Sequence, residues 1–147
     1  MIVFREAELA DIAAVLALLK DDSLGAAREV DSLSEYLEAF RQMTAEGNNH
    51  LIVGEIDGRI VATYQITYIS GLSLKAARRA QIESVRISSD LRRQGLGRLM
   101  FDDAAKRAKE AGCSLMQLTM NASRQDSAKF YGSVGFTPSH IGYKREL

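Results

Sequence analysis

Apolar residues recur along this chain with two spacings, and the changes from one spacing to the other predict its secondary structure. A three- and four-residue repeat indicates amphipathic helices, the first of them over 8–20. After a polar connection at 21–32, a second helix has Asp31 or Ser32 as its cap and ends near Glu46. Alternation with β-branched residues indicates strands, and Asp57-Gly58 between two such runs is typical of a tight hairpin. In chain order, the predicted elements are a strand at 2–5, helices at 8–20 and 32–46, strands at 50–55, 59–69 and 80–87, a helix at 95–111, a strand at 114–120, a helix at 125–134 and a strand at 139–145.

This order combines hairpins with a β-α-β crossover, which is typical of an α+β fold whose central sheet contains strands of both directions. The 147 residues are enough for one domain with a core of its own, and neither a linker nor a repeat divides them. We therefore expect a single domain over residues 1–147, with about four helices and a mixed central sheet of six or seven strands.

Composition narrows the range of partners. The 19 Lys and Arg residues balance the 19 Asp and Glu residues and Trp is absent, so we expect neither nucleic acid nor an anionic membrane as a partner. No apolar run approaches the ~18 residues of a spanning helix, and no signal-peptide pattern is present. The single cysteine, Cys113, excludes an internal disulfide, and we expect a cytoplasmic location. His50 and His140 have no partners at metal-ligand spacing, so no metal site is predicted.

The segment Arg92–Arg98, with the sequence RRQGLGR, joins the predicted strand at 80–87 to the helix that follows it. Glycine lets a ligand approach the backbone closely, and a helix start presents free N–H groups and the positive end of the helix dipole. The turn therefore predicts an anion site, most simply for a phosphate. A Walker loop would end in Gly-Lys-Ser/Thr, and this segment does not. A Rossmann turn would have a third glycine and would follow the first strand of the chain, and this segment has neither property. Neither nucleotide-binding motif accounts for this segment.

Two segments together resemble one protein family. Arg92 to Gly97 fits R/Q-x-x-G-x-G/A, and Ala128 to Phe136 fits A-x-x-F/L-Y-x-x-x-G-F. Their order and approximate separation resemble those of the GNAT superfamily of acyl-CoA-dependent N-acyltransferases. The resemblance extends over the whole chain, although the first half matches in pattern only. It implies central strands splayed apart around the cofactor, acetyl-CoA or a related acyl-CoA as donor, an amine as acceptor, and a homodimer.

The resemblance also implies which residues bind acetyl-CoA. The pyrophosphate would lie on the N–H groups of the turn near its arginines, although a solvated basic helix start is the alternative. The pantetheine arm would pair with the main chain at the end of the strand, where an N–H could also stabilise the oxyanion. Asn121 could bond to the pantetheine or serve a turn, and Gln125 occupies the position of the family's usual asparagine. The implied cofactor-binding residues are Val85, Arg86, Ile87, Arg92, Arg93, Gln94, Gly95, Leu96, Gly97, Arg98, Asn121 and Tyr131.

Tyr131 and Glu83 are the predicted catalytic residues. In the family, the tyrosine that matches Tyr131 donates a proton to the departing CoA thiolate, which suits the neighbouring pKa values of phenol and thiol, ~10 and ~8.5. Packing at a helix–sheet junction is the alternative for Tyr131. Glu83 has apolar neighbours, and a bulge in this strand would leave the direction of its side chain open. It is the candidate base for the amine, directly or through water; a buried or rim carboxylate paired with an arginine is its alternative. The amine would then attack the acetyl carbon directly in a ternary complex.

These motifs do not identify the acceptor amine. In the family, acceptor choice depends on the first helix–loop–helix and the last strand, here about Leu19–Tyr36 and Pro138–Tyr143. Acidic residues in the first region favour a cationic amine, although acidic helix ends are often simply solvated. They are Asp21, Asp22, Glu29, Asp31 and Glu35. A CoA-binding sensor or regulatory module without turnover is the alternative to an enzyme, and the presence of both Glu83 and Tyr131 favours the enzyme.

Overall fold

A computed structural model describes residues 1–30 and 32–147, and in them five strands form one sheet. The strands lie side by side in chain order: β1 (Val3–Glu6), β2 (Asn49–Ile56), β3 (Arg59–Ile69), β4 (Arg79–Ile87) and β5 (Leu115–Leu118). Neighbours among the first four are antiparallel, whereas β5 is parallel to β4. The predicted α+β fold with a mixed sheet is therefore confirmed.

In the described part of the chain, six helices accompany the sheet, where about four were predicted. They are α1 (Ile12–Lys20), α2 (Ser23–Arg28), α3 (Leu33–Glu46), α4 (Ser73–Ala76), α5 (Leu96–Glu110) and α6 (Gln125–Ser133). The two additions, α2 and the single turn α4, lie in segments that the sequence predicted to be irregular. Helix α2 forms because the Asp22 carboxylate accepts a hydrogen bond from the Gly25 N–H and caps it. Of the two predicted caps of α3, Asp31 lies outside the described residues and Ser32 makes no side-chain capping bond.

The core lies on both faces of the sheet. On one face, α5 buries Met100 and Phe101 against Tyr64, Ile66 and Ile82 of the sheet. On the other face, α1 and α3 contact β3 and β2. Helix α1 has four buried residues, Ile12, Val15, Leu16 and Leu18, whereas α3 has none. No helix among residues 1–30 and 32–147 is both long and apolar enough to cross a membrane.

The predicted hairpin at Asp57-Gly58 is confirmed. Both residues have positive φ, 48° and 79°, and they join β2 to β3. A two-residue turn with two positive φ angles matches the twist of the strands that it connects. The local sequence was sufficient here because the turn residues themselves favour this conformation.

The segment 137–147, which we call the tail, forms no strand, although the sequence predicted one over 139–145. All of its residues are exposed. The described sheet thus has five strands, where six or seven were expected. The residues of the tail favour an extended chain, but a strand also needs a hydrogen-bonded neighbour, and the tail pairs with no strand of the described sheet.

Candidate active site

Strands β4 and β5 are paired over only part of their length. Residues 79–82 pair with Leu115–Leu118, after which β5 ends and β4 continues to Ile87. Ser84, with φ of 54°, forms a bulge just beyond this point, where the register with β3 also shifts. Residues 83–87 therefore have β3 on one side and an open edge on the other. The splay of the central strands that the resemblance implied is present.

The open edge of β4 presents main-chain groups to the gap. The Val85 carbonyl accepts a hydrogen bond of 2.9 Å from Arg86 Nη1, and the Ile87 carbonyl accepts one of 3.2 Å from Arg92 Nε. These carbonyl groups therefore point away from β3. Because a strand residue directs its N–H and C=O to the same side, the N–H groups of Val85 and Ile87 face the gap as well. An extended ligand can pair with this edge as an added strand.

Helix α5 begins at the glycine-rich turn beside this edge. Gly95 is its N-cap, with φ of 82°, and the Leu99 N–H donates to the Gly95 carbonyl. The N–H groups of Leu96, Gly97 and Arg98 precede that bond and have no partner within the helix. Together with the positive end of the helix dipole, these N–H groups are the ones on which the sequence predicts an anion site, and that site stays a prediction.

The three arginines of the turn have different surroundings. Arg92 donates to two main-chain carbonyl groups, one in β4 and one directly after α1, at 3.2 and 2.7 Å. Arg98 donates to the Ser133 carbonyl at 3.1 Å, which joins α5 to α6. Arg93 is exposed and makes no hydrogen bond or ion pair with the described residues. A phosphate could therefore bind the guanidinium group of Arg93 without breaking an existing contact.

The two segments that carry the family resemblance, Arg92–Gly97 and Ala128–Phe136, are in contact through Gly97 and Phe130. If residue 97 carried a Cβ atom, that atom would lie 2.7 Å from Phe130 Cζ. Helices α5 and α6 can approach this closely because residue 97 is glycine. The rings of Phe130, Tyr131 and Phe136 surround Phe101 of α5, with centroids 5.9, 5.8 and 5.5 Å from it. This aromatic cluster fixes the position of Tyr131 relative to the turn.

Tyr131 is half-buried in that cluster. Burial raises the pKa of its hydroxyl, against the positive charges of Arg124 and Arg86, which act to lower it. The hydroxyl is therefore protonated at neutral pH, as a proton donor has to be. Its position is compatible with both predicted roles, packing and proton donation.

A partly buried charge cluster that the sequence did not predict includes Arg86 and Arg124, and both of these charges act on Tyr131. Arg86 Nε is 3.2 Å from Asp22 Oδ2, and Arg124 Nη2 is 3.5 Å from the same oxygen. The Arg86 and Asp22 side chains are only 9% and 10% exposed. The Arg86 Nε–H makes no well-directed hydrogen bond, so its contact with Asp22 is an ion pair only. Desolvation acts to raise the pKa of Asp22, but the Gly25 N–H bond and the guanidinium groups of Arg86, Arg124 and Arg28 outweigh it and lower the pKa.

Glu83 is exposed and makes no hydrogen bond or ion pair with the described residues. The direction of this side chain was left open by the sequence, and Glu83 is uncovered because β5 ends before it reaches this part of β4. Its register position opposite Gln65 places it on the sheet face that α1 and α3 cover. A cavity of about 110 Å³ lies on that face, lined by apolar residues of α1 and α3 together with Gln65 and Ser84. Glu83 thus lies beside Ser84, a residue of the cavity wall, on the part of β4 that β5 leaves unpaired.

Asn121 has a local partner. Its Oδ1 accepts hydrogen bonds from the N–H and the hydroxyl of Ser123, at 3.0 and 2.6 Å. Of the two predicted roles, the turn role therefore has direct support in the structure. Gln125, at the family's usual asparagine position, is the exposed first residue of α6.

The acidic residues near α2 are engaged within the fold. Asp21 accepts hydrogen bonds from the N–H and the hydroxyl of Ser89, and Glu29 accepts one of 2.6 Å from the Tyr36 hydroxyl. With Asp22 held by the arginines, these carboxylates give little support to a cationic acceptor. Among the residues that the structure describes, no group of three or more His, Cys, Asp and Glu side chains could hold a metal ion.

Comparisons with known proteins agree with this geometry. The sequence model of the Acetyltransferase (GNAT) family matches residues 13–136. A solved structure of a transcriptional regulator from Bacillus halodurans C-125 is 37% identical to this chain, with 100% of each chain covered and a TM-score of 0.95. Glucosamine-6-phosphate N-acetyltransferase from Arabidopsis thaliana shares the fold, at 20% identity and a TM-score of 0.81 over 100% of this chain and 99% of that one. A predicted acetyltransferase from Clostridium acetobutylicum, solved with acetyl-CoA, is 21% identical, with a TM-score of 0.74 over 98% of this chain and 96% of that one.

The sequence matches no curated protein. The family match nevertheless covers most of the chain and includes both the glycine-rich turn and Tyr131. The protein belongs to the GNAT acetyltransferase family.

Proposed function

We propose that this protein is an N-acetyltransferase that moves an acetyl group from acetyl-CoA to a primary amine of a small molecule or peptide. The observation that carries the proposal is the open edge of β4 beside the glycine-rich start of α5 with its free N–H groups. Together they suit an extended arm that ends in phosphate. Membership of the family and a fold neighbour solved with acetyl-CoA support this choice of donor. Cytoplasmic residence is part of the same proposal.

In this proposal, the pyrophosphate lies on the N–H groups of residues 94–98, with Arg93 adding a positive charge. The pantetheine amides pair with the main chain of Val85 and Ile87. Each of these carbonyl oxygens has a second lone pair, so the existing bonds from Arg86 and Arg92 need not break. The path along β4 then leads from the turn toward the bulge and Glu83.

The chemistry follows from the groups at the gap. Glu83 is solvated, so it takes the proton of the ammonium group through water, and the neutral amine attacks the acetyl carbon. A main-chain N–H of the open edge stabilises the oxyanion of the tetrahedral intermediate. As the C–S bond breaks, the Tyr131 hydroxyl gives its proton to the departing sulfur. The nitrogen, positively charged after its attack, releases its extra proton to solvent, and solvent restores the proton of Tyr131. Arg86 and Arg124 favour the phenolate that the transfer leaves behind.

Calorimetric titration with acetyl-CoA tests the binding part of the proposal. Gly95→Glu puts a carboxylate where the phosphate would lie and should abolish binding. Gly112→Glu is the matched control, because Gly112 has nearly the same φ, 80° against 82°, and equally open space, but follows the other end of α5. Failure of the wild type to bind, or equal loss of affinity in the two folded variants, would contradict the site.

Release of free CoA thiol with a panel of primary amines tests the transfer part. Tyr131→Phe should slow thiol release by about 10²–10⁴-fold and weaken acetyl-CoA binding far less than that. An equal rate in the wild type and in Tyr131→Phe would remove the proton-donor role while leaving the binding site in place.

A CoA-binding regulatory module without turnover is the second candidate. The description of the 37% identical relative from Bacillus halodurans as a transcriptional regulator favours it. Tight acetyl-CoA binding with no thiol release for any amine would support this candidate. Amine-dependent release that requires Tyr131 would exclude it.

A further inference from the structure

The charge cluster of Asp22, Arg86 and Arg124, which we call the arginine cluster, lies on the same face of the sheet as the cavity of about 110 Å³. Arg86 pairs with Thr63 of β3, and residues paired across two strands direct their side chains to one face. Thr63 belongs to the wall of the cavity. Asp22 comes two residues after the end of α1, whose apolar residues line the cavity. The arginine cluster and the cavity are therefore neighbours.

The arginine cluster also reaches the gap between β4 and β5. Arg86 Nη1 donates to the Val85 carbonyl, which faces the gap. Arg124 belongs to the connection between β5 and α6, the elements on the other side of the gap. The charges of both arginines act on the Tyr131 hydroxyl. The cluster thus connects the two sides of the gap near the proposed proton donor.

Positive charge exceeds negative charge around Arg86. Among the described residues, two further positive and two negative side chains act on it, namely Arg28, Arg124, Asp22 and Glu29. With Arg86 itself, the positive charges outnumber the negative ones three to two. Burial lowers the pKa of Arg86 although Asp22 acts to raise it, so the carboxylate does not fully compensate for the loss of water. A further anion would therefore be stabilised at this place.

The two guanidinium groups have donors left for such an anion. The Arg86 side chain is only 9% exposed, and its buried Nε–H has no well-directed hydrogen bond. Buried polar groups nearly always have a partner, so an exception of this kind indicates a site that a ligand completes. The Arg124 side chain is 40% exposed, and its guanidinium group makes a single contact with the described residues, 3.5 Å from Asp22 Oδ2. Most of its N–H donors are therefore unused.

We propose that the acceptor of the acetyl group is an amine that also carries a carboxylate or a phosphate, and that Arg86 and Arg124 bind this anionic group. Asp22 is a positioning residue that holds the two guanidinium groups side by side. A small apolar part of the acceptor lies in the neighbouring cavity, whose wall is mainly apolar. The acceptor role rests on the proposed acetyl transfer, whereas binding of the anion does not. The sequence favoured a cationic acceptor from the acidic residues of this region, and Asp22 instead serves to hold the arginines.

The N-acetylated products of such acceptors test anion binding without turnover. Calorimetric titrations, with and without CoA, compare N-acetylleucine with N-acetylleucinamide, and N-acetyl-2-aminoethyl phosphate with N-acetyl-2-aminoethanol. The anionic member of at least one pair should bind about 10–100-fold more tightly than the neutral member. The pair that shows the larger preference distinguishes carboxylate from phosphate. Equal affinities in both pairs, or no binding of any compound, would overturn the proposal.

Replacement of Arg124 tests whether the arginine cluster causes the preference. Arg124→Gln should bring the two affinities of the pair together, because it removes the charge and retains a polar side chain. Arg41→Gln is the matched control and should keep the preference, because Arg41 is also exposed and pairs with one carboxylate, that of Glu38 at 3.6 Å, but lies on α3 outside the cluster. Circular dichroism checks that both variants are folded. An undiminished preference in folded Arg124→Gln would overturn the proposal.

Release of CoA thiol with the corresponding amines tests the acceptor role. Leucine or 2-aminoethyl phosphate should have a higher kcat/KM than its neutral counterpart, and Arg124→Gln should remove that advantage. Equal kcat/KM values for anionic and neutral amines would overturn the anionic acceptor and leave the acetyl transfer in place. Absence of release with every amine would contradict the acetyl transfer and with it the acceptor role, and the titrations would show separately whether the cluster binds the anion.

Discussion

Replacement of Gly97 by alanine should destabilise the fold, although this residue lies in a helix, where alanine is intrinsically favoured. Helix propensity alone would stabilise the variant by about 0.5–1 kcal/mol. The added Cβ, however, would lie 2.7 Å from Phe130 Cζ, against about 3.5–4.0 Å for an ordinary carbon–carbon contact. The Phe130 ring is held by Phe101 and Tyr131, so we assign an overpacking cost of about 1–3 kcal/mol. The net effect should be a loss of about 1–2 kcal/mol.

Gly132 provides the matched control for this prediction. It also lies in a helix, α6, but a Cβ there would have no atom within 4 Å, so Gly132→Ala should stabilise the protein by up to about 1 kcal/mol. Thermal unfolding followed by circular dichroism should show a Tm lower by about 2–8 °C for Gly97→Ala and higher by up to about 4 °C for Gly132→Ala. In a double-mutant cycle, Phe130→Leu should reduce the cost of Gly97→Ala. Tm changes of the same sign and size in the two glycine variants would refute the packing argument.

Three further predictions concern α2 and the gap. Gly25→Ala should prevent α2 from forming, because its Cβ would lie 1.7 Å from the Leu19 carbonyl oxygen, and limited proteolysis should then cut within 21–32. Asp22→Asn leaves Arg86 buried without a counter-charge and should cost about 3 kcal/mol in chemical denaturation at neutral pH. The pKa of Asp22 is lower in the folded state, so its carboxylate stabilises the fold above its unfolded pKa of ~3.9. This stabilisation is lost as the pH falls through the folded-state pKa. The wild type and Asp22→Asn should therefore converge in stability only in that acidic range. Because burial raises the pKa of Tyr131, any alkaline loss of kcat from this hydroxyl should occur above pH ~10, and a loss between pH 8 and 9 that Tyr131→Phe lacks would contradict its assignment.

The parts of the fold that could be predicted are those in which local preference and tertiary environment agree. Asp57-Gly58 favours the positive φ angles that its hairpin needs, and the apolar repeat of α5 matches the face that it buries. Helix α2 was missed because a capped helix of six residues, with a glycine in its first turn, has the composition of a loop. The tail has the residues of a strand, but pairing depends on a neighbour, and local sequence carries no information about which strand edge is available.

The candidate site also contains some residues whose places could be predicted from the sequence and others whose places could not. The anion turn and Tyr131 each lie in a contiguous motif, so their places could be predicted from residue spacing. The ion pairs of Asp22 with Arg86 and Arg124 could not, because their residues come from three distant parts of the chain and resemble ordinary surface charges. The exposure of Glu83 depends on where β5 ends, which is a property of the assembled sheet.

The two glycines of the turn meet two separate physical requirements, and this separation has a kinetic consequence. Gly95 is needed for a backbone with φ of 82°, and a Cβ atom there would have no atom within 4 Å, so a substitution acts on the proposed anion site directly. Gly97 is needed for the close approach of Phe130, whose neighbour in the chain is Tyr131. A larger residue at Gly97 therefore displaces α6 and the proposed proton donor relative to the turn. Gly97→Ala should accordingly lower kcat more than it weakens acetyl-CoA binding, whereas Gly95→Glu should act mainly on binding.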